Sequence, residues 1–456
     1  EAVVAERLPP RRVTLAARAL AAVVAGDPGL PGASGDLAAE LAVQAGDPGR
    51  AGLLLTESGR SALGRGALAT ATGTLRRAAG LLTAPDQRAE AETLLVEALA
   101  LAGQVDEAML IGDRVIARLT PGGDGAIRRA AIHLKLAHAA VDGTRWAVAR
   151  RHVGIAGDLL AADPEPGLSA ETAVLDAEIA LAADDAGDRA RALAECALAS
   201  PGASAEIRCR ALELLGRVCR ARDLDGAREA FELALTTADA AGLAVWRLRA
   251  LHELGTIDMF DHAGTGRLSQ ARRIASELGA ASTGAVIDLQ LTATAMFRFE
   301  LDEADRYAES ALAASTRLGL GTTGAIVLVF RAEVAALRRD PGEMERFIAL
   351  ARAAAPGDPE IEGSALAGAR GMLALLEDDM AGALDAFSRG VAVLDTAPQR
   401  GPAPYRGLWP LLLAAHGDRR AMAAIGHARA TGLTVNRANR GAARVRRGDP
   451  GRARWR

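Results

Sequence analysis

Residues 88–119 read RAEAETLLVEALALAGQVDEAMLIGDRVIARL, and their apolar spacing decides the fold. From Arg88 to Leu101, the residues Ala91, Leu94, Leu95, Ala98 and Leu101 recur at helical intervals, which predicts a helix with one apolar face. Gly103-Gln104-Val105-Asp106 breaks that helix, and Asp106 is placed to cap the next one by accepting from a free backbone N–H. The second helix carries Ala108, Ile111, Val115 and Leu119 on its buried stripe, and Pro121-Gly122-Gly123 ends it. Such a pair has two apolar faces and cannot bury both alone, so it needs a neighbour on each side.

The second helix contains a spacing that returns along the chain: a small or apolar residue, another four on, a third three further. It reads Ala108-Gly112-Val115, Ala190-Ala194-Ala197, Ala227-Phe231-Ala234 and Ala304-Ala308-Ala311. It continues as Met344-Ile348-Ala351, Ala383-Phe387-Gly390 and Ala421-Ile425-Ala428, with looser copies starting at Ala67, Ala147 and Ala271. The copies from Ala67 to Ala421 stand about 39 residues apart on average, a period that marks helical repeats. Helix starts repeat as well, at Asp225-Gly226-Ala227, Leu301-Asp302-Glu303-Ala304, Asp340-Pro341-Gly342-Glu343, Asp378-Asp379 and Gly417-Asp418. The expected fold is all-α: a right-handed α-solenoid of about ten degenerate helix pairs spanning residues 51–436.

Composition agrees. The chain has 456 residues, 50% apolar but only 3% aromatic, and Ala is roughly a quarter of it. Small side chains favour helix and let neighbouring helices pack closely, whereas β-branched and aromatic runs suited to a sheet are scarce. Net charge is −3, too balanced to create a strong field for nucleic acid or an anionic membrane. No signal peptide or transmembrane span is visible, since the longest uncharged apolar stretch, Leu318 to Phe330, is too short to cross a bilayer. A cytoplasmic location is expected.

Residues 1–50 read as a helical junction segment, with helices over Arg11 to Ala25 and Asp36 to Gln44 joined by a Gly/Pro loop from Gly26 to Gly35. Residues 437–456 hold eight arginines against the single acid Asp449 and no apolar periodicity, so a disordered tail is expected. The chain opens on Glu1 rather than Met, which predicts an internal piece of a longer protein.

The residues exclude several chemistries. A P-loop needs Gly-Lys followed by Ser or Thr, but the single lysine, Lys135, lies in Leu134-Lys135-Leu136 inside a helical pattern. His133 and His138 are five apart and fall on different sides of a helix. His252-Glu253 approaches a zinc helix, but Thr256 stands where the second histidine should be. His152, His262, His416 and His427 complete the histidines, all read as satisfied or solvated helical side chains. Cys196, Cys209 and Cys219 match no metal or redox spacing and read as free thiols of a helical core. Ser58-Gly59-Arg60-Ser61 and Gly64-Arg65-Gly66 could form an anion-holding loop, although a helix–helix connection uses glycine for the same geometry. Trp146, Trp246 and Trp409 read as packing between helix layers, with ligand stacking the alternative. No catalytic, cofactor-binding or metal-ligating residue is assigned, an enzyme is not expected, and the residues that bind a partner stay unassigned.

The repeats resemble tetratricopeptide repeats, since Ala227-Phe231-Ala234 matches the small-large-small spacing of that motif's second helix. Their period is longer than usual and the first-helix Trp and Tyr are mostly missing. Further strings are similar to large ATP-binding regulators of the LuxR family, the relatives of MalT. Arg7-Leu8-Pro9-Pro10-Arg11-Arg12, Asp36-Leu37-Ala38-Ala39-Glu40-Leu41-Ala42, Gln44-Ala45-Gly46-Asp47 and Ala62-Leu63-Gly64-Arg65-Gly66-Ala67 resemble the stretch that follows their ATPase module. Leu408-Trp409-Pro410-Leu411-Leu412 and Gly432-Leu433-Thr434-Val435-Asn436-Arg437 resemble their final repeats. The resemblance implies the sensor array of such a regulator, without its ATPase and its helix-turn-helix domain. It implies a protein partner or small-molecule inducer, DNA contact only through a C-terminal domain outside this chain, no membrane, and room for homo-oligomers. No cofactor is expected in this chain; ATP would belong to the parent protein. The alternative is a stand-alone scaffold for protein–protein interaction.

Overall fold

The computed structural model describes residues 10–26, 33–64, 67–119, 124–184, 186–220, 223–396 and 405–430. The tail expected over 437–456 and the turn Pro121-Gly122-Gly123 lie outside them. All regular structure among the described residues is helical, and the chain divides after Ile207 into two units.

The first unit contains α1 (Pro10–Gly26), α2 (Ala33–Gln44), α3 (Pro48–Gly64), α4 (Leu68–Leu81) and α5 (Pro85–Leu101). It continues with α6 (Val105–Arg118), α7 (Asp124–Asp142), α8 (Trp146–Ala162), α9 (Pro166–Ala182) and α10 (Gly187–Ala199). The second unit begins within α11 (Ala205–Arg220), followed by α12 (Leu224–Ala240), α13 (Ala244–His262), α14 (Gly266–Glu277), α15 (Ala281–Phe297) and α16 (Leu301–Leu318). Then come α17 (Gly321–Leu337), α18 (Pro341–Ala354), α19 (359–376), α20 (Met380–Leu394), α21 (Tyr405–Ala415) and α22 (Ala421–Ala430). Odd and even helices alternate as the first and second members of pairs, and each packs mainly on its sequence neighbours. This is an α-solenoid of helix pairs, as the sequence predicts.

The recurrent spacing marks the buried stripe of the second helices. Phe231, Phe387 and the alanines of the Ala190, Ala227, Ala304 and Ala383 copies are fully buried or nearly so. Two loose copies shift register: the buried trios are Ala71-Leu75-Ala78 rather than a set from Ala67, and Ala149-Val153-Ala156 rather than one from Ala147. The copy from Ala271 keeps Ala271 and Ala275 buried, but Leu278 lies at the helix end and is exposed. In α2, Gly35, Ala39 and Ala42 are buried at the same spacing, so the pair α1–α2 is built like the later ones.

The first helices differ from the expected one-faced pattern. In α5 the buried set includes Val96, Leu99 and Ala100 beside Ala91, Leu95 and Ala98, while Leu101 is exposed. In α17 twelve of seventeen residues are buried, from Gly324 to Ala336. A first helix lies between its own partner and the adjacent pairs, so it must be apolar on several sides. Mid-helix glycines let the second helix come close: a Cβ on Gly59 would lie 2.5 Å from Leu75, and one on Gly216 2.5 Å from Phe231. In α19 the backbone widens by one residue per turn over Ala365–Gly371, where Ala367 abuts Gly390 of α20.

Capping follows the expected syntax with two corrections. Asp340 and Asp379 accept from Glu343 N and Gly382 N at 3.0 and 2.9 Å. For α12 the cap is Asp223 rather than Asp225, accepting from Gly226 N at 3.0 Å. Asp106 does not cap α6; the cap position is Gln104, without a side-chain bond, and Asp106 turns outward to Arg145. An ion pair with a neighbouring repeat has replaced the local hydrogen bond.

Candidate partner-binding surface

Within each unit, successive first helices touch one another, as in α3–α5–α7–α9 and α13–α15–α17–α19. The described second helices of successive pairs make no comparable contact. The first helices are therefore the tight side, where long side chains reach from one repeat to the next.

A ladder of polar pairs follows from that proximity. In the first unit Arg60 bonds Glu90, Lys135 bonds Glu97, and His138 Nε2 lies 2.8 Å from Glu171. In the second, Arg249 grips both Glu213 oxygens at 2.7 and 2.8 Å, and Arg217 donates to Glu253 at 2.9 Å. Gln290 then donates to Thr256 Oγ1 at 3.1 Å. The partners stand 30 to 38 residues apart, one repeat, which is the register the solenoid imposes. Burial opposes ionisation of Glu213, yet the Arg249 and Arg217 guanidiniums outweigh it and hold the carboxyl below its ordinary range. The lone lysine thus serves a helix-to-helix ion pair.

Glu333 on α17 breaks the pattern. It is buried, its Oε1 has no hydrogen-bond partner, and burial pushes its pKa up to about 8. At neutral pH it is a carboxylic acid rather than a carboxylate.

An apolar slot of about 270 Å³ lies between α5, the C-terminal end of α6 and α7, with Arg60 of α3 at its edge. Leu94, Val115, Leu119 and Ile132 form its apolar lining. Its rim carries the Arg60–Glu90 pair and Arg128, which stands 4.0 Å from Asp86. The chemistry offered is recognition: an apolar recess for one side chain, edged by charges of both signs. Among the described residues, no group of three or more His, Cys, Asp or Glu is arranged to hold a metal ion. No described helix is long and apolar enough to cross a membrane.

The residues singled out by sequence separate. His133 and His138 do face opposite ways: His138 meets Glu171, whereas His133 meets His152 of α8, Nδ1 to Nδ1, at 2.9 Å. Both His133 and His152 are buried, and burial lowers both pKa values, His133 to about 4. Their 19-residue separation follows no motif, so sequence reading missed the pair. His252 is also held low by burial, and Thr256 bonds back to its carbonyl at 2.9 Å. Cys196 is exposed, while Cys209 and Cys219 are buried thiols outside any disulfide, Cys209 Sγ donating to Ala234 O at 3.6 Å. Ser58-Gly59-Arg60-Ser61 is not a loop: it lies inside α3, with Gly59 against Leu75 and Arg60 in the ladder. Trp146 and Trp409 pack on core clusters, and Arg249 stacks over Trp246 at 4.7 Å.

Comparison with known proteins places the architecture. No protein-family model matches the sequence, and no curated protein matches it. Solved structures do match. RapI in its apo form aligns with a TM-score of 0.54 at 11% identity, covering 79% of this chain and 99% of RapI. The fold is tetratricopeptide-like. A signal-transduction ATPase with numerous domains from Pyrococcus horikoshii, PH0952, which carries a tetratricopeptide repeat sensor, aligns with a TM-score of 0.51 at 12% identity. That match covers 76% of this chain and 53% of PH0952, so the chain spans about half the length of that protein. At such identities the likeness is one of fold.

Proposed function

We propose that this chain is a partner-binding sensor solenoid, the tetratricopeptide-like region of a larger MalT-like regulator of the LuxR family. Its partner, a protein or small-molecule inducer, binds at the slot formed by α5, the end of α6 and α7, and biases the array between states that differ in repeat-to-repeat contacts. ATP and DNA belong to other domains of that parent. The observation that carries the binding role is the apolar slot at Leu94, Val115, Leu119 and Ile132 between two repeat-spanning charged pairs. An apolar anchor with a polar rim is how protein partners are held. The pairing of a tetratricopeptide sensor with an ATPase in PH0952 supports the regulatory reading.

RapI supports a second reading, since nearly all of that chain is matched: a stand-alone scaffold for protein interaction. Sequencing the flanking DNA separates the two. The regulator requires an upstream P-loop and a downstream helix-turn-helix in the same reading frame, and their absence rejects it in favour of the scaffold. The binding surface is tested with Leu94→Arg, which places a charge in the slot. Leu94 also packs on the core, so the melting transition should fall modestly while the helical fold is kept; partner binding of the folded variant should fall at least tenfold, and undiminished binding would remove the slot from the site.

A further inference from the structure

We draw no further inference here: the strongest candidate, the buried His133–His152 side-chain cluster between α7 and α8, has its two rings bonded to each other with no third metal-ligating side chain arranged beside them among the described residues, so nothing in the structure shows a ligand for it.

Discussion

Gly216 and Gly154 are both glycines inside helices, one in the first helix α11 and the other in the second helix α8. A Cβ on Gly216 would lie 2.5 Å from the ring of Phe231, whereas one on Gly154 would meet nothing within 4 Å. The same contrast runs through the molecule. First helices are enclosed, with the second helix of their own pair pressed into them and ion pairs running from one repeat to the next. Second helices bury one stripe and leave the other face open. Sequence that looks uniformly Ala-rich thus encodes two environments, and one substitution has opposite consequences in the two.

The largest expected effect comes from Glu333, an acid buried in the enclosed first helix α17 with its Oε1 unbonded. Glu333 has a folded pKa near 8 against an ordinary 4.5, so the folded state binds the extra proton between those values. Its stability contribution is therefore complete below about pH 4.5 and is lost progressively as pH rises toward 8. Glu333→Gln should remove that slope and stabilise the protein at pH 7 by roughly 3 kcal/mol, at ~1.4 kcal/mol per pKa unit. Urea denaturation across pH measures it, and a variant with the parental slope would show that Glu333 is ionised.

Gly216→Ala tests the comparison directly. Helix propensity alone favours Ala by about 1 kcal/mol, but Phe231 is fully buried and has nowhere to move. A net loss of roughly 2 kcal/mol is expected from overpacking. Gly154→Ala, with open space, should instead gain ~0.5–1 kcal/mol. Equal signs for the two would break the distinction between the helix classes.

A third effect sits where the classes meet. His133 of α7 and His152 of α8 share a 2.9 Å contact, near Arg129, Arg151 and Asp113, so two positive neighbours face one negative. Burial, then the neighbouring His152 and Arg129, hold His133 neutral down to about pH 4. The unfolded chain takes up a proton near pH 6.5, so stability is complete above that value and falls as pH drops toward 4. His152→Gln leaves one titrating ring and removes a positive neighbour of His133, so the acid loss between pH 6.5 and 5, read by urea denaturation across pH, should shrink; an unchanged loss would show that His152 is not held neutral by burial.

Much of the fold was legible because small-large-small spacing is a local record of one helix packing on another. Ala190, Phe231, Ala308 and Phe387 needed no structural information to be placed inside. The first helices were harder. Leu99 and Val96 are buried by neighbouring repeats, and a single apolar stripe is only the imprint of one partner. The binding surface was not legible for the same reason. Arg60–Glu90 and Lys135–Glu97 join residues whose separation depends on how repeats of unequal length stack, and His133–His152 joins the two helices of one pair at a separation no motif marks. Asp106 misled because a cap and an inter-repeat ion pair use the same residue type at the same place.

The smallest effect lies in the turns, which repeat the contrast between the inside of a pair and the junction of pairs. Turns between pairs reach left-handed φ only at glycines among the described residues, including Gly242, Gly279, Gly319 and Gly357. Turns within a pair often do so with side chains: Thr144 at φ 56°, Phe299 at 59°, Arg339 at 58° and Asp378 at 61°. A non-glycine residue in this region costs about 1–2 kcal/mol, most for branched or bulky types. Thr144 and Phe299 are exposed, so replacing either removes little packing. Thr144→Gly and Phe299→Gly should each stabilise by ~1 kcal/mol after the added flexibility of the unfolded chain is subtracted. Thr144→Ala, which keeps a Cβ, should recover less than half of that. If Phe299→Gly destabilises instead, the exposed ring contributes a contact in solution that offsets its strained backbone.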